Sequence, residues 1–210
     1  MKYFNTLPKT TVADPNNKNI EIGVDLTARA SLLPALSLQP MLFYQYTVQE
    51  QDLPENIAYK YYGDQYRYWM VFYANNIMDP KGDWPLTNRD FQAYLKDKYS
   101  ALATANNQTV NAYCQSTIHA YEKIITTYDS LSMQTSVKTV QIDAPTYANT
   151  QITTSTATFP SSNVTYSVTK NIVYVIDYET QLNESKRNIN LINKNYVTDI
   201  ESQFVSLMSS

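Results

Sequence analysis

The chain has 210 residues and a formal net charge of -3, enough length to bury a hydrophobic core in one domain or two small ones. It lacks a Lys/Arg cluster able to neutralise a run of phosphates, which argues against nucleic acid, and its one cysteine, Cys114, excludes an internal disulfide. With 3 glycines against 19 tyrosines, glycine-rich phosphate cradles are excluded, while amphipathic ring surface is abundant, for a core or for an interface.

Residues 1–42 read as an extended arm. Pro8, Pro15, Pro34 and Pro40, with the turn cluster Asp14-Pro15-Asn16-Asn17, oppose long regular elements there. Met1 to Pro8 lacks the apolar core of a signal peptide, so no export signal is expected. The richest apolar stretch, Leu32 to Tyr44, is cut by Pro34 and Pro40 and falls short of the ~20 residues that span a bilayer, so no membrane is expected. Asp25 to Leu33 predicts a short helix capped by Asp25.

A module follows over 43–99. Tyr44 to Val48 alternates as a short strand. Asp52 then predicts an N-cap, with Pro54 in the first turn and Glu55 in the capping-box position. Ile57, Ala58 and Tyr61 face inward on this helix, and Gly63 stands where a helix stop needs a left-handed residue. A second helix is predicted from about Gln65 to Asn76, carrying Tyr68, Trp69, Phe72 and Tyr73. The turn-rich run Asp79-Pro80-Lys81-Gly82-Asp83-Trp84-Pro85 follows, with Trp84 held as an anchor between Pro80 and Pro85. Thr87 and Asp90 open a third helix with Phe91, Tyr94 and Leu95.

From Val110 through Tyr113, Cys114, Thr117, Ile118, Tyr121, Ile124 and Ile125 to Tyr128, apolar spacings of three and four predict a long helix over 100–132. Residues 133–176, rich in Thr, Ser and Val, predict short strands and loops, with a last strand at Ile172 to Ile176. Leu182, Ile189, Ile192, Tyr196, Ile200, Phe204 and Leu207 predict a terminal amphipathic helix over 177–210, capped by Asp177. At roughly thirty residues it would be about 45 Å long, more than a small domain covers, and it is expected to be a principal attachment to other chains. The chain is therefore α+β.

Chemistry is sparse. His119 is the only histidine, expected on a helix surface; five residues from Cys114 on a helix, it would point about 140° away and form no dyad with it. One His and one Cys are too few for zinc. Asp52, Asp79 and Asp83 have sufficient roles as caps and turn formers. No catalytic residue, metal or cofactor is expected.

The motifs from Tyr46 to Leu86 resemble a LysM module, a small βααβ unit that commonly binds N-acetylglucosamine polymers. Tyr46-Thr47-Val48 matches its first strand, Asp52 its capping aspartate, Ile57-Ala58 and Tyr62-Gly63 its first helix, and Ala74-Asn75-Asn76 the end of its second. Gln51 stands where glycan binders carry Gly, and the second strand is shortened to Asp83-Trp84-Pro85-Leu86. Both changes touch the sugar groove, so glycan binding is not expected.

A wider resemblance is to the baseplate wedge subunit with a LysM-like domain from contractile-tailed, T-even-like bacteriophages. Its central motif is matched by Asp52, Pro54, Ile57, Ala58, Tyr61-Tyr62-Gly63, Trp69, Asn75-Asn76, Asp79-Pro80 and Asp83-Trp84-Pro85. Its ends resemble Tyr3-Phe4, Leu7-Pro8, Asp177-Tyr178-Glu179, Asn183-Glu184 and Lys186-Arg187. The resemblance implies a structural subunit that joins neighbouring wedges in the virion tail baseplate, with other wedge proteins as partners and assembly in the host cytoplasm. The alternative is a glycan-binding module of a cell-wall-directed protein. The expected partner contacts are Tyr3 and Phe4 in the arm, Trp69, Tyr73, Asn75, Asn76, Asp83 and Trp84 in the module, and Tyr178, Glu179, Arg187, Ile192, Tyr196 and Phe204 near the end.

Overall fold

β-branched and aromatic strands alternating with capped helices give an α+β chain. The computed structural model describes residues 3–13, 20–25, 28 and 39–209. They gather into two compact units: the described residues up to Asn88 with those from Asn183 onward, and residues 89–182.

In the first unit, the arm holds an antiparallel hairpin of β1 (Lys9–Ala13) and β2 (Ile20–Val24), with Lys9 opposite Val24 and Ala13 opposite Ile20. The helix expected from Asp25 to Leu33 falls almost wholly outside the described residues. β3 (Phe43–Thr47) leads into α1 (Pro54–Tyr62), which buries Ile57, Ala58 and Tyr62. Proline pre-sets the first helical turn, and Gly63 at φ 74° ends the helix, its N–H donating to the Tyr59 carbonyl. The cap differs from expectation. Leu53 occupies the N-cap with no side-chain bond, while the Asp52 carboxylate accepts from Tyr46 Oη (2.6 Å), the Gln49 N–H (3.0 Å) and Lys60 Nζ (3.0 Å). It thereby ties the strand to the helix.

Asp64 caps a 3-10 turn, Gln65–Arg67, by accepting from the Tyr66 N–H. α2 (Tyr68–Asn75) follows and ends at Asn76, whose φ of 52° suits asparagine better than most side chains. Trp69, Met70 and Val71 are consecutive and all buried, as in a helix enclosed on most sides.

The end of the chain corrects the predicted thirty-residue helix. It is broken into α6 (Val175–Ser185), β8 (Asn188–Ile192), a 3-10 turn at Lys194–Tyr196, and α7 (Val197–Ser209). Asp177 is not the cap but lies in the first turn, where its carboxylate accepts from the Tyr174 N–H. Asn188-Ile189-Asn190-Leu191-Ile192 alternates polar and apolar residues, a strand period, and β8 pairs antiparallel with β3, Tyr46 opposite Ile189. The strand that pairs with β3 thus comes from the far end of the chain and not from Asp83 to Leu86. One core unites these pieces: Val48, Ile57, Trp69, Met70, Trp84, Leu191, Ile192, Val197, Phe204 and Met208.

In the second unit, α3 (Asn88–Ala105) buries Phe91, Leu95 and Ala103, and α4 (Val110–Ser116) buries Cys114. Here the predicted long helix over 100–132 is corrected too, because the chain becomes β4 (Ile118–Asp129). Apolar spacings of three and four fit a helix, but Ile118, Ile124, Ile125, Thr126 and Thr127 are β-branched and lose rotamer freedom in one. β5 (Gln134–Ile142), α5 (Ala144–Asn149), β6 (Thr153–Thr158) and β7 (Asn163–Tyr174) complete an antiparallel sheet of order β5-β4-β7-β6. β7 is long, not one of the short strands expected over 133–176, and Val175-Ile176 already belong to α6.

Candidate protein-interaction surfaces

Much of what the sequence offers as contact surface lies in the core of the first unit. Trp69 packs its ring 4.7 Å from Phe204, and Tyr3 lies 5.9 Å from Trp69 and 5.5 Å from Phe204. Tyr73, half-buried, completes this aromatic group at 6.4 Å from Phe204. Trp69, Phe204 and Ile192, expected as contacts, are buried by their own chain. Trp84 is likewise buried, its Nε1–H donating to the Asp52 carbonyl at 3.2 Å. The side chain of Phe4 lies outside the described part.

The polar candidates act as internal ties. Asn75 Nδ2 donates to the Val71 and Asn190 carbonyls, and its Oδ1 accepts from the Asn190 N–H at 2.7 Å, fastening α2 to β8. Asn76 ends α2. Asp83 accepts from the Met78 and Asp79 N–H groups, and these bonds hold its carboxyl below the usual carboxylate range. Arg187 reaches Glu184, Glu50 and the Val48 carbonyl. Of this set, Tyr196 keeps an exposed ring. Tyr44, which stacks on Tyr61 at 5.6 Å, is exposed as well. Tyr44 and Tyr61, with Tyr46, Ile57, Lys60 and Leu191, line an open cavity of about 200 Å³.

In the second unit, Tyr178 stacks on His119 at 3.7 Å. His119 sits on β4, not on a helix, and Cys114 is on α4, so no dyad forms. Glu179 is 2% exposed and accepts from Tyr99 Oη (2.5 Å), Lys98 Nζ (2.7 Å) and Tyr94 Oη (3.0 Å). It is a buried acid held by three donors of its own unit. Burial pushes its pKa up, but the bonds from Lys98, Tyr99 and Tyr94 outweigh that and leave it below the ordinary 4.5. A carboxyl with a depressed folded value stabilises above its unfolded pKa and loses that contribution as pH falls through the folded one. Urea midpoints of the second unit should therefore hold from pH 7 to about 5 and drop below about 4.5, with a drop clearly smaller in Glu179→Gln. An equal drop in both proteins would refute the assignment.

The surface that sequence reasoning missed is the sheet. Of all residues in β4, β5, β6 and β7, only Val168 and Val173 are buried. Among the described residues, both outer strands, β5 and β6, have an unpaired edge. The density of β-branched residues from Ile118 to Ile142 was the available signal.

The family model for base plate wedge protein 53 matches residues 35–208, most of the chain. No curated protein matches it.

Proposed function

The chain belongs to the base plate wedge protein 53 family, a structural subunit of the phage tail baseplate, and from that premise we propose that it joins neighbouring wedges during baseplate assembly. The observation that carries this reading is the second unit's sheet, which exposes both faces and two strand edges that a monomer has no use for. The first unit is built on a single core, and its pairing of two strands with two helices is read as LysM-like. Catalysis, cofactor and glycan binding have no part in the role, and the subunit is taken up in the host cytoplasm. The family match favours this role over the glycan-binding alternative.

Wedges assembled without this chain should accumulate as single particles on a sedimentation gradient. Adding the purified full-length chain should then restore rings visible by electron microscopy. Rings closing at normal yield in its absence would overturn the role.

A further inference from the structure

Alternation in a strand places every second residue on one face, and paired residues share that face. Lys123 on β4 lies directly opposite Lys170 on β7, and Lys138 on β5 is opposite Ile125, two residues along from Lys123. The three lysines therefore share one face. Apolar neighbours on it are Ile125, Val140, Val168 and Tyr166, and Asp129 stands at its far end with its carboxylate taken up by the Leu131 N–H and the Ser132 hydroxyl. The other face is uncharged but for Glu122, and is lined by Thr126, Thr135, Thr139, Thr165 and Thr169.

Like charges set opposite each other in a sheet are destabilising. Lys170 is partly relieved, donating to the Tyr147 carbonyl at 3.0 Å and lying over the Tyr147 ring. Among the described residues neither Lys123 nor Lys138 has an ion-pair partner. Tyr147 of α5 also covers Tyr121, so one end of the face is closed; from Lys123 to Asp129 its β4 residues are half-buried and Val168 is buried, while Lys138, Val140 and Tyr166 stay exposed.

We propose that this face seats an acidic, partly apolar segment of another wedge protein, its carboxylates on Lys123, Lys138 and Lys170. The inference rests on the wedge role above. Two observations select this occupant over a second copy. The stretch from Lys123 to Asp129 is on the order of 400 Å², about 23 Å along the strands and 15–20 Å across them, half the ~800 Å² that each partner of a stable pair contributes. A second copy laid on the same face would also bring lysine against lysine. A phosphate backbone is disfavoured because the chain as a whole is negative and the three ammonium groups stand among Ile, Val and Tyr rather than along a basic groove.

The test is reconstitution of wedge complexes with the full-length chain, read by sedimentation. The pair Lys123→Glu/Lys138→Glu should reduce incorporation at least tenfold, and Lys123→Gln/Lys138→Gln by a smaller factor. Lys123→Arg/Lys138→Arg should enter normally, as should Thr135→Glu/Thr139→Glu on the opposite face. The glutamate pair should melt no lower than wild type, since Glu opposite Lys170 replaces a repulsion with an attraction. That combination separates a docking face from a structural one. If the glutamate pair fails to fold, the glutamine pair decides by the same readout. Normal incorporation of the charge-altered lysine pairs, or equal loss in the threonine pair, overturns the inference while leaving the wedge role standing. If the wild-type chain does not enter wedges, the wedge role itself falls, and this face with it. Saturable binding of a DNA duplex of about 30 base pairs at ~0.15 M salt, lost in the glutamate pair, would give the face to nucleic acid and also overturn it.

Discussion

A chain ending at Asn193 should fail to fold its first unit cooperatively. This reverses the expectation from sequence that residues beyond Asn193 mainly serve other chains. The deletion removes Val197, Phe204 and Met208, all of them buried in the core that holds Trp69 and Ile57. Each such side chain contributes roughly 1.5–3 kcal/mol by burial, so the three together supply about 5–9 kcal/mol. Whole domains are stable by only ~5–15 kcal/mol. The deletion also cuts the ion pair of Arg67 with Glu201, and uncovers one side of the Trp69 ring. Near-UV circular dichroism of the truncated chain should lose the aromatic signal of the first unit, and its urea transition should broaden or vanish. A sharp transition with an intact aromatic signal would return α7 to the role of an outward attachment. Phe204→Ala gives the graded version, with an expected cost of ~3–5 kcal/mol.

How much of this was legible in the sequence depended on whether the signal was local. α1 was read nearly to the residue because Pro54 and Gly63 act on their own backbone, one by fixing φ and the other by tolerating φ 74°. Asn76 closing α2 was equally local. Asp52 was not, because a carboxylate at a helix start can bond the helix or the strand before it, and the choice was made by Tyr46 and Lys60. The two long helices failed for a related reason. A spacing of three and four residues over Val110 to Tyr128 is compatible with a helix followed by a strand, and the run of Ile and Thr decided for the strand. At the other end, β8 gains its stability from a partner strand more than 140 positions away, as in the pair Thr47 and Asn188. Such a pairing leaves no mark in a window of ten residues. Most of the expected contact residues are large aromatics, and the core draws on that same residue class. Trp69 and Phe204 went to the core, whereas the exposed sheet is built from Thr, Val and Lys that no motif singles out.

Trp84→Ala should destabilise the first unit by ~3–5 kcal/mol, the cost of emptying a large aromatic site in a core. The ring is 9% exposed and meets the edge of Phe72 at 6.3 Å between centroids. It arrives there from a turn fixed before and after it. Asp83 accepts two backbone N–H groups upstream, Gly82 lies so close to Asp79 that a Cβ would come within 2.9 Å of its carboxylate, and Leu86 exchanges two bonds with the Asn183 side chain. A ring delivered by so constrained a segment has little rotational freedom left to lose on burial. Its Nε1–H also satisfies the Asp52 carbonyl, beside the carboxylate that ties β3 to α1. Trp84→Phe should separate the two contributions, keeping most of the packing while leaving that carbonyl without its donor, for an expected loss of about 1–3 kcal/mol. Urea unfolding of the full chain, followed by tryptophan fluorescence from Trp69, measures both variants on one scale. An unchanged midpoint in Trp84→Ala, together with failure to enter wedges, would instead make the ring a contact for another chain.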